Sequence, residues 1–248
     1  MSLRHTVLDQ TLDLPPPYNL VILREAGDAF AHACAIAEEA GAGTLVWVRR
    51  FDHVELAVVL EPEDCLSRAR RAHYAGMNAL ASALATHAPP SKPVTFDWPD
   101  AIRVDGVLVG GARLGFPADT RNDETPAWLV FSTMIRTTVV HGPETGMRPL
   151  TGALDEVGFE NISAEEIIAS FSRHLMAILH EWSEDGFDNI ARTWLGYLPS
   201  GERDFRIDDD GNLCLKPDNS QSSVGKRSLA DGLLTPTWLD PETAMPWL

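Results

Sequence analysis

Arginine side chains are the residues of this chain best suited to bind a small anion. A guanidinium binds a carboxylate through two parallel hydrogen bonds, so an arginine pair can hold a small carboxylate without catalysing any reaction. Four arginines follow or close short hydrophobic stretches and are our candidate ligand-binding residues: Arg49, Arg50, Arg113 and Arg136. The alternative role of each is an ion pair with one of the 36 acidic side chains.

Further candidates lie close to these arginines in the sequence. The Gly110-Gly111 pair either lets a ligand approach the backbone or marks a bulge in a strand. Trp98 either lines a pocket or packs in the core. His53 and His141 are candidates for acid–base roles, with a purely structural role as the alternative.

The charge balance excludes two classes of partner. The chain carries 20 basic and 36 acidic residues, a net charge of −16, and its only lysines are Lys92, Lys216 and Lys226. Nucleic acids and anionic membranes bind basic surfaces, so we expect neither as a partner. The sequence contains no long apolar run, and its three cysteines are scattered. These features predict a cytoplasmic protein with reduced thiols and no bound metal.

The hydrophobic periodicity predicts an α+β fold in which a mixed β-sheet packs against helices. We expect strands at residues 20–23, 44–48, 54–60, 94–96, 102–104, 107–109 and 128–135. We expect helices at residues 28–40, 66–84, 163–182 and 188–195, the third opened by a capping box at Ser163 and Glu166. Asp105-Gly106 is typical of a two-residue hairpin turn.

The character of the sequence changes near residue 200. Two short strand-like pieces flank the turn at residues 208–211, and Pro236, Pro241 and Pro246 then disfavour a regular barrel. We therefore predict two domains, residues 18–198 and a small β-rich, loop-rich C-terminal module at residues 199–248. We expect the C-terminal end to dock on the main domain through Trp238 and Trp247.

Residues 96–111, FDWPDAIRVDGVLVGG, resemble a signature of biotin protein ligases. That family has a Lys-Trp-Pro-Asn-Asp run, a short strand, an Asp-Gly-like turn and a strand with Ala-Gly-Ile. The order of the predicted elements over residues 18–196 is also similar to that family, which shares its fold with lipoate ligases and octanoyl transferases. The resemblance implies a sheet of the class II synthetase type and the candidate sites described above.

The resemblance also implies an activity, the ATP-dependent attachment of biotin or lipoate to a lysine of a carrier domain. ATP, Mg²⁺, a small carboxylate (biotin, lipoate or octanoate) and a biotinyl or lipoyl carrier protein are then the implied cofactors and partners. This chain departs from the pattern at Asp97, where the family has lysine, and at Ala101. Asp100 remains as one implied metal ligand, and only five residues, 49–53, replace the glycine- and arginine-rich adenylate loop.

Three hypotheses follow from this pattern. The first is a divergent biotin or lipoate protein ligase, with no catalytic residue assigned. The second is a non-catalytic relative that binds a small carboxylate or a carrier protein, which the loss of the lysine and of the loop supports. The third is an acyl transferase that uses a cysteine thiol, although none of the three cysteines lies in a matching motif.

Overall fold

The computed structural model describes residues 12–140, 150–160, 162–199, 205–215 and 225–248. His141 and Lys216 lie outside these ranges. None of the helices in the described ranges is long and apolar enough to cross a membrane.

A seven-stranded sheet in the order β1-β2-β3-β7-β6-β5-β4 forms the centre of the described structure. The β1–β2 pair is parallel and the other neighbours are antiparallel, so the sheet is mixed. Its strands are β1 (Asn19–Leu23), β2 (Thr44–Arg49), β3 (His53–Leu60), β4 (Val94–Asp97), β5 (Ala101–Val104), β6 (Val107–Gly115) and β7 (Leu129–Arg136).

Helices cover the two faces of this sheet unequally. The helices are α1 (Ala29–Ala40), α2 (Leu66–Ala69), α3 (Ala72–His87), α4 (Ala164–Asp185), α5 (Asp188–Gly196) and α6 (Leu229–Gly232). The main core lies on one face, where α3, α4 and α5 pack against the strands. On the other face α1 covers β2, β3 and part of β7, which leaves the β5–β6 end to be covered by another part of the chain.

Local sequence signals explain several of these boundaries. Asp28 accepts a hydrogen bond from the backbone N–H of Ala31 and begins α1, while Ser163 and Glu166 form the predicted capping box of α4. The predicted hairpin is confirmed, because Asp105 and Gly106 both have positive φ angles, 51° and 79°, between β5 and β6.

The single helix predicted over residues 66–84 is wrong. The structure divides it into α2 and α3 at Arg70 and Arg71. There the backbone N–H groups of Arg71, His73 and Tyr74 bond to the carbonyl three residues earlier, which tightens the turn and breaks the helical ladder.

A small β-rich region follows α5, as predicted. The strands β8 (Phe205–Ile207), β9 (Leu213–Leu215) and β10 (Lys226–Arg227) form one sheet, and β11 (Leu239–Asp240) pairs with β12 (Met245–Pro246). The architecture confirms the predicted α+β class. The division of the chain at residues 198 and 199 stays a prediction.

His73 couples the stability of the fold to pH. Its ring is fully buried on α3, and Nε2 lies 3.0 Å from the carbonyl oxygen of Pro99, which requires the proton on Nε2 in the neutral ring. Burial lowers the pKa of His73 from 6.5 to about 4, against the smaller opposing effect of the Pro99 carbonyl. Between these values the unfolded chain binds a proton that the folded chain does not.

We therefore expect the wild-type free energy of unfolding to fall as the pH decreases from 6.5 to 4. A difference of 2.5 pKa units corresponds to about 3 kcal/mol at most. His73→Gln keeps an N–H donor for Pro99 and should lose this part of the slope, whereas the exposed control His180→Gln should keep it. Denaturant titrations at several pH values measure the slope, and equal slopes in all three proteins would contradict the assignment.

Candidate functional site

Asp97, which the motif resemblance aligns with a family lysine, is part of an internal ion pair. Its Oδ2 lies 2.7 Å from Nε of Arg103. Arg103 also donates to the carbonyl oxygens of Gly106 and Leu150, so the guanidinium is held by three groups of the chain. The carboxylate at this position therefore orders the β4–β5–β6 corner. Lys92, the lysine nearest in sequence, is paired with Asp105.

Asp100 is buried and bound by the C-terminal end of the chain. Its two carboxylate oxygens accept hydrogen bonds from Oγ1 of Thr237 at 2.6 Å and from the backbone N–H of Thr237 at 3.0 Å. Burial raises the pKa of Asp100 to about 6, and the two Thr237 donors partly oppose that rise. The carboxylate thus serves as an acceptor within the chain.

The indole of Trp238 lies directly on Gly111. A Cβ atom added to Gly111 would lie 2.3 Å from Cδ1 of this indole, so only glycine permits the contact. Trp238 is fully buried, and its Nε1 donates to the carbonyl oxygen of Ala112 at 3.1 Å. The rest of its surroundings are buried apolar residues of β5, β6 and β7: Ala101, Leu108 and Met134. The expected docking through Trp238 is confirmed, while Trp247 remains 41% exposed.

Arg136 binds the same C-terminal region. It is buried at the end of β7, and its Nη2 donates to the carbonyl oxygen of Pro246 at 2.5 Å. It pairs across the sheet with His53, whose ring is also buried. Burial lowers the pKa of His53 to about 4, and Asp52, 2.9 Å from Nδ1, opposes that shift. His53 is therefore a neutral ring at pH 7.

Gly110 has a different role from Gly111. It has a φ angle of 154° and lies at a register shift between β5 and β6. A Cβ there would lie 2.0 Å from the carbonyl oxygen of Met134. Of the two alternatives drawn from the sequence, the structure places a bulge and close backbone packing at Gly110.

Arg50 and Arg113 lie near the amino end of α1, each beside an acidic residue. Arg50 Nε lies 2.7 Å from Glu55, whose other oxygen accepts the backbone N–H of Ala29 at 2.8 Å. The nearest contact of Arg113 with Asp28 is 3.8 Å, and its guanidinium lies over the ring of Phe30 at 4.4 Å. The internal carboxylates thus neutralise both guanidiniums.

Glu55 is the residue of this group that sequence reasoning missed. It is 1% exposed, although it carries a charge in the middle of β3. A lone carboxylate within an otherwise apolar strand was the available signal, because buried charges are nearly always paired.

Arg49 lies elsewhere, in a cleft of about 410 Å³ beside the amino end of α4. Its guanidinium stacks over the ring of Trp47 at 5.0 Å from the centroid. The buried Nε1 of Trp47 has no hydrogen-bond partner among the described residues. Other residues of the lining are Arg50, Phe51, Thr137, Ile162, Ser163, Ala164 and Glu165.

The structure therefore divides the predicted site residues into three places. Asp100, Gly111 and Arg136 meet the C-terminal residues 237–246, and Arg49 and Arg50 line the cleft at α4. Arg113 lies under α1. Trp98 points away from all three, since Nε1 lies 3.4 Å from the hydroxyl of Tyr74 and the ring faces Gly232.

Another cavity, of about 490 Å³, opens between α4 and the end of β3. It is lined mainly by apolar residues such as Leu60, Leu129 and Trp182, with Glu61, Glu63 and Asp64 in its lining. None of the predicted site residues lines it.

The comparisons with known proteins agree with the motif at residues 96–111. Residues 14–196 match the model of the biotin/lipoate A/B protein ligase family. The chain belongs to this family. A comparison with curated proteins finds no match.

Solved structures extend the agreement to the fold. A biotin protein ligase-like protein of unknown function from Silicibacter sp. is 27% identical, with a TM-score of 0.78 over 91% of this chain and 100% of the other. The apo biotin protein ligase of Aquifex aeolicus is 12% identical, with a TM-score of 0.65 over 84% and 95%. The Leishmania major ligase in complex with biotinyl-5-AMP is 15% identical, with a TM-score of 0.51 over 86% and 99%.

The residues of this ligase-like member do not fit a nucleotide with its metal in the arrangement seen here. Phosphate groups require cationic or N–H donors, whereas Asp97 places a carboxylate at the motif. Asp100, the implied metal ligand, is engaged with Thr237. Within the described ranges no group of three or more His, Cys, Asp or Glu side chains is arranged to hold a metal ion.

The contact between Gly111 and Trp238 gives a stability test. Gly111→Ala should displace the indole and lower the free energy of unfolding by about 1–3 kcal/mol, as overpacking does. A Cβ at Gly111 would also lie 2.3 Å from the backbone carbonyl oxygen of Asp100, and this clash remains in a Trp238→Ala background. Only the part of the cost that comes from the indole should be lost there, so the two changes together should cost less than the sum of their separate costs. Gly196→Ala, where a Cβ meets nothing within 4 Å, serves as the control. Denaturant unfolding measures all four variants, and additive costs would contradict the contact.

Proposed function

We propose that this chain is a non-ligating member of the biotin/lipoate protein ligase family that binds a small carboxylate. The observation that carries the proposal is the placement of the two motif carboxylates. Asp97 is paired with Arg103, and Asp100 is paired with the C-terminal Thr237. Neither carboxylate offers the cationic surroundings that the formation of an acyl-adenylate requires.

The loss of ligation is further supported by how the β2–β3 connection is built. Only residues 50–52 separate the two strands. A connection of this length turns the chain, whereas covering a nucleotide takes a longer loop. The Trp238 indole also fills the surface over Gly111, so the region beside the motif is occupied by the chain itself.

The binding of a carboxylate is supported by the cleft at α4. Arg49 lines it and stacks on Trp47, whereas Arg50, which also lines it, is already paired with Glu55 and with the carbonyl oxygen of Gly27. The amino end of the 22-residue helix α4 adds partial positive charge, which Glu165 and Glu166 in its first turn reduce. Glu165 also lines the cleft and disfavours ligands of higher negative charge.

The proposed ligand class is a monocarboxylate with an apolar body, such as biotin, lipoate or octanoate. A cleft of about 410 Å³ is in the size range of small-molecule sites. The aromatic rings of Trp47 and Phe51 supply apolar contact area. A carrier-protein partner is a further proposal, which the net charge of −16 disfavours for acidic carriers.

Calorimetry with these three acids tests the binding. We expect at least one of them to bind, and Arg49→Ala to weaken it by roughly 10- to 100-fold, the effect of losing one charge-assisted hydrogen bond. Arg121→Ala serves as the control. Arg121 is paired with Asp123 and does not line the cleft, so its loss should leave the affinity unchanged. Equal affinities in the wild type and Arg49→Ala would contradict the site.

Isotope exchange between pyrophosphate and ATP, with each acid present, tests the absence of ligation. We expect exchange at the level of a control without protein. Exchange above that level would contradict the non-ligating proposal and restore the ligase hypothesis.

A further inference from the structure

Residues 237–246, which we call the cover segment, lie across the β5–β6–β7 end of the sheet on the face that α1 leaves open. The sheet beneath them lies within the range of the family match, residues 14–196, whereas the cover segment lies beyond it. The cover segment therefore lies outside the part of the chain that matches the family model.

The cover segment is held to this face by side-chain and backbone hydrogen bonds and by the apolar packing of Trp238, Leu239 and Met245. Thr237 bonds to Asp100, Trp238 packs on Gly111 and bonds to Ala112, and Pro246 accepts from Arg136. Its strands β11 and β12 pair with each other and form a sheet separate from the seven-stranded one. Removing the segment would leave the ladder of the central sheet intact.

The middle of the cover segment has little contact with the protein. Residues 241–244 are exposed, and the bonds within them run back to Asp240. Segments with few buried contacts open locally, at a lower free energy than global unfolding. By contrast, β3 is buried along almost its whole length and pairs with neighbours on both sides.

Three of the residues that the sequence singled out lie under the cover. Asp100, Gly111 and Arg136 all contact it, and each would gain exposure when it leaves. We propose that the cover segment is an intramolecular, displaceable occupant of this face, which opens as a unit while the sheet stays folded and so controls access to Asp100, Gly111 and Arg136.

Thiol labelling in the full-length protein tests the opening. Ala101 lies under Trp238 on β5, and Ala57 lies on β3 under α1; both are buried. We expect a cysteine in Ala101→Cys to react with a maleimide on the order of 100-fold faster than one in Ala57→Cys, because only the former requires local opening. Mass spectrometry of the labelled peptides separates these sites from Cys34, Cys65 and Cys214.

A further variant tests whether the hydrogen bonds of the cover segment hold it closed. Thr237→Val removes the Oγ1 bond to Asp100 and should accelerate the labelling of Ala101→Cys while leaving that of Ala57→Cys unchanged. Amide hydrogen exchange of the wild type gives an independent measurement, in which residues 238–247 should exchange much faster than β3 and β7. Equal labelling rates, or equal protection of the cover and the central strands, would overturn the proposal.

Discussion

The contact of the Trp238 indole with Gly111 is the interaction on which the rest of this arrangement depends. It requires a residue without a side chain on β6, a carbonyl acceptor at Ala112 and a buried carboxylate at Asp100 to receive Thr237. Gly111 and Asp100 belong to the motif at residues 96–111, and Ala112 follows it directly. In this chain the motif packs against the chain's own C-terminal end.

Several charged side chains of the candidate site region are likewise paired within the chain. Asp97 binds Arg103, Glu55 binds Arg50, and Asp28 lies beside Arg113. Each member of a buried or half-buried ion pair is neutralised by the other member, so the pair does not attract a further ion. Unlike Arg50 and Arg113, Arg49 has no carboxylate partner among the described residues and stacks on Trp47, which is why the cleft at α4 carries the proposed function.

Much of the fold follows from local signals. Asp105-Gly106 specifies its turn, Ser163 and Glu166 specify the start of α4, and the motif at residues 96–111 specifies the family. The candidate site could be predicted less well from the sequence, because its contacts join residues that lie far apart along the chain. Trp238 was expected to dock, but its position on Gly111, 127 residues earlier in the chain, has no local signature. The break of the helix at Arg70 likewise depends on the loop at Asn122 that binds it.

The central claim is that Trp238 fills this face in the predominant state of the protein in solution, and that ATP and biotin do not displace it. A nuclear Overhauser effect between the Trp238 indole and the Met134 methyl group measures this directly, since both belong to one buried cluster. We predict a strong effect in the free protein that persists after the addition of ATP and biotin. Its absence in the free protein, or its loss on adding ATP and biotin, would contradict this account.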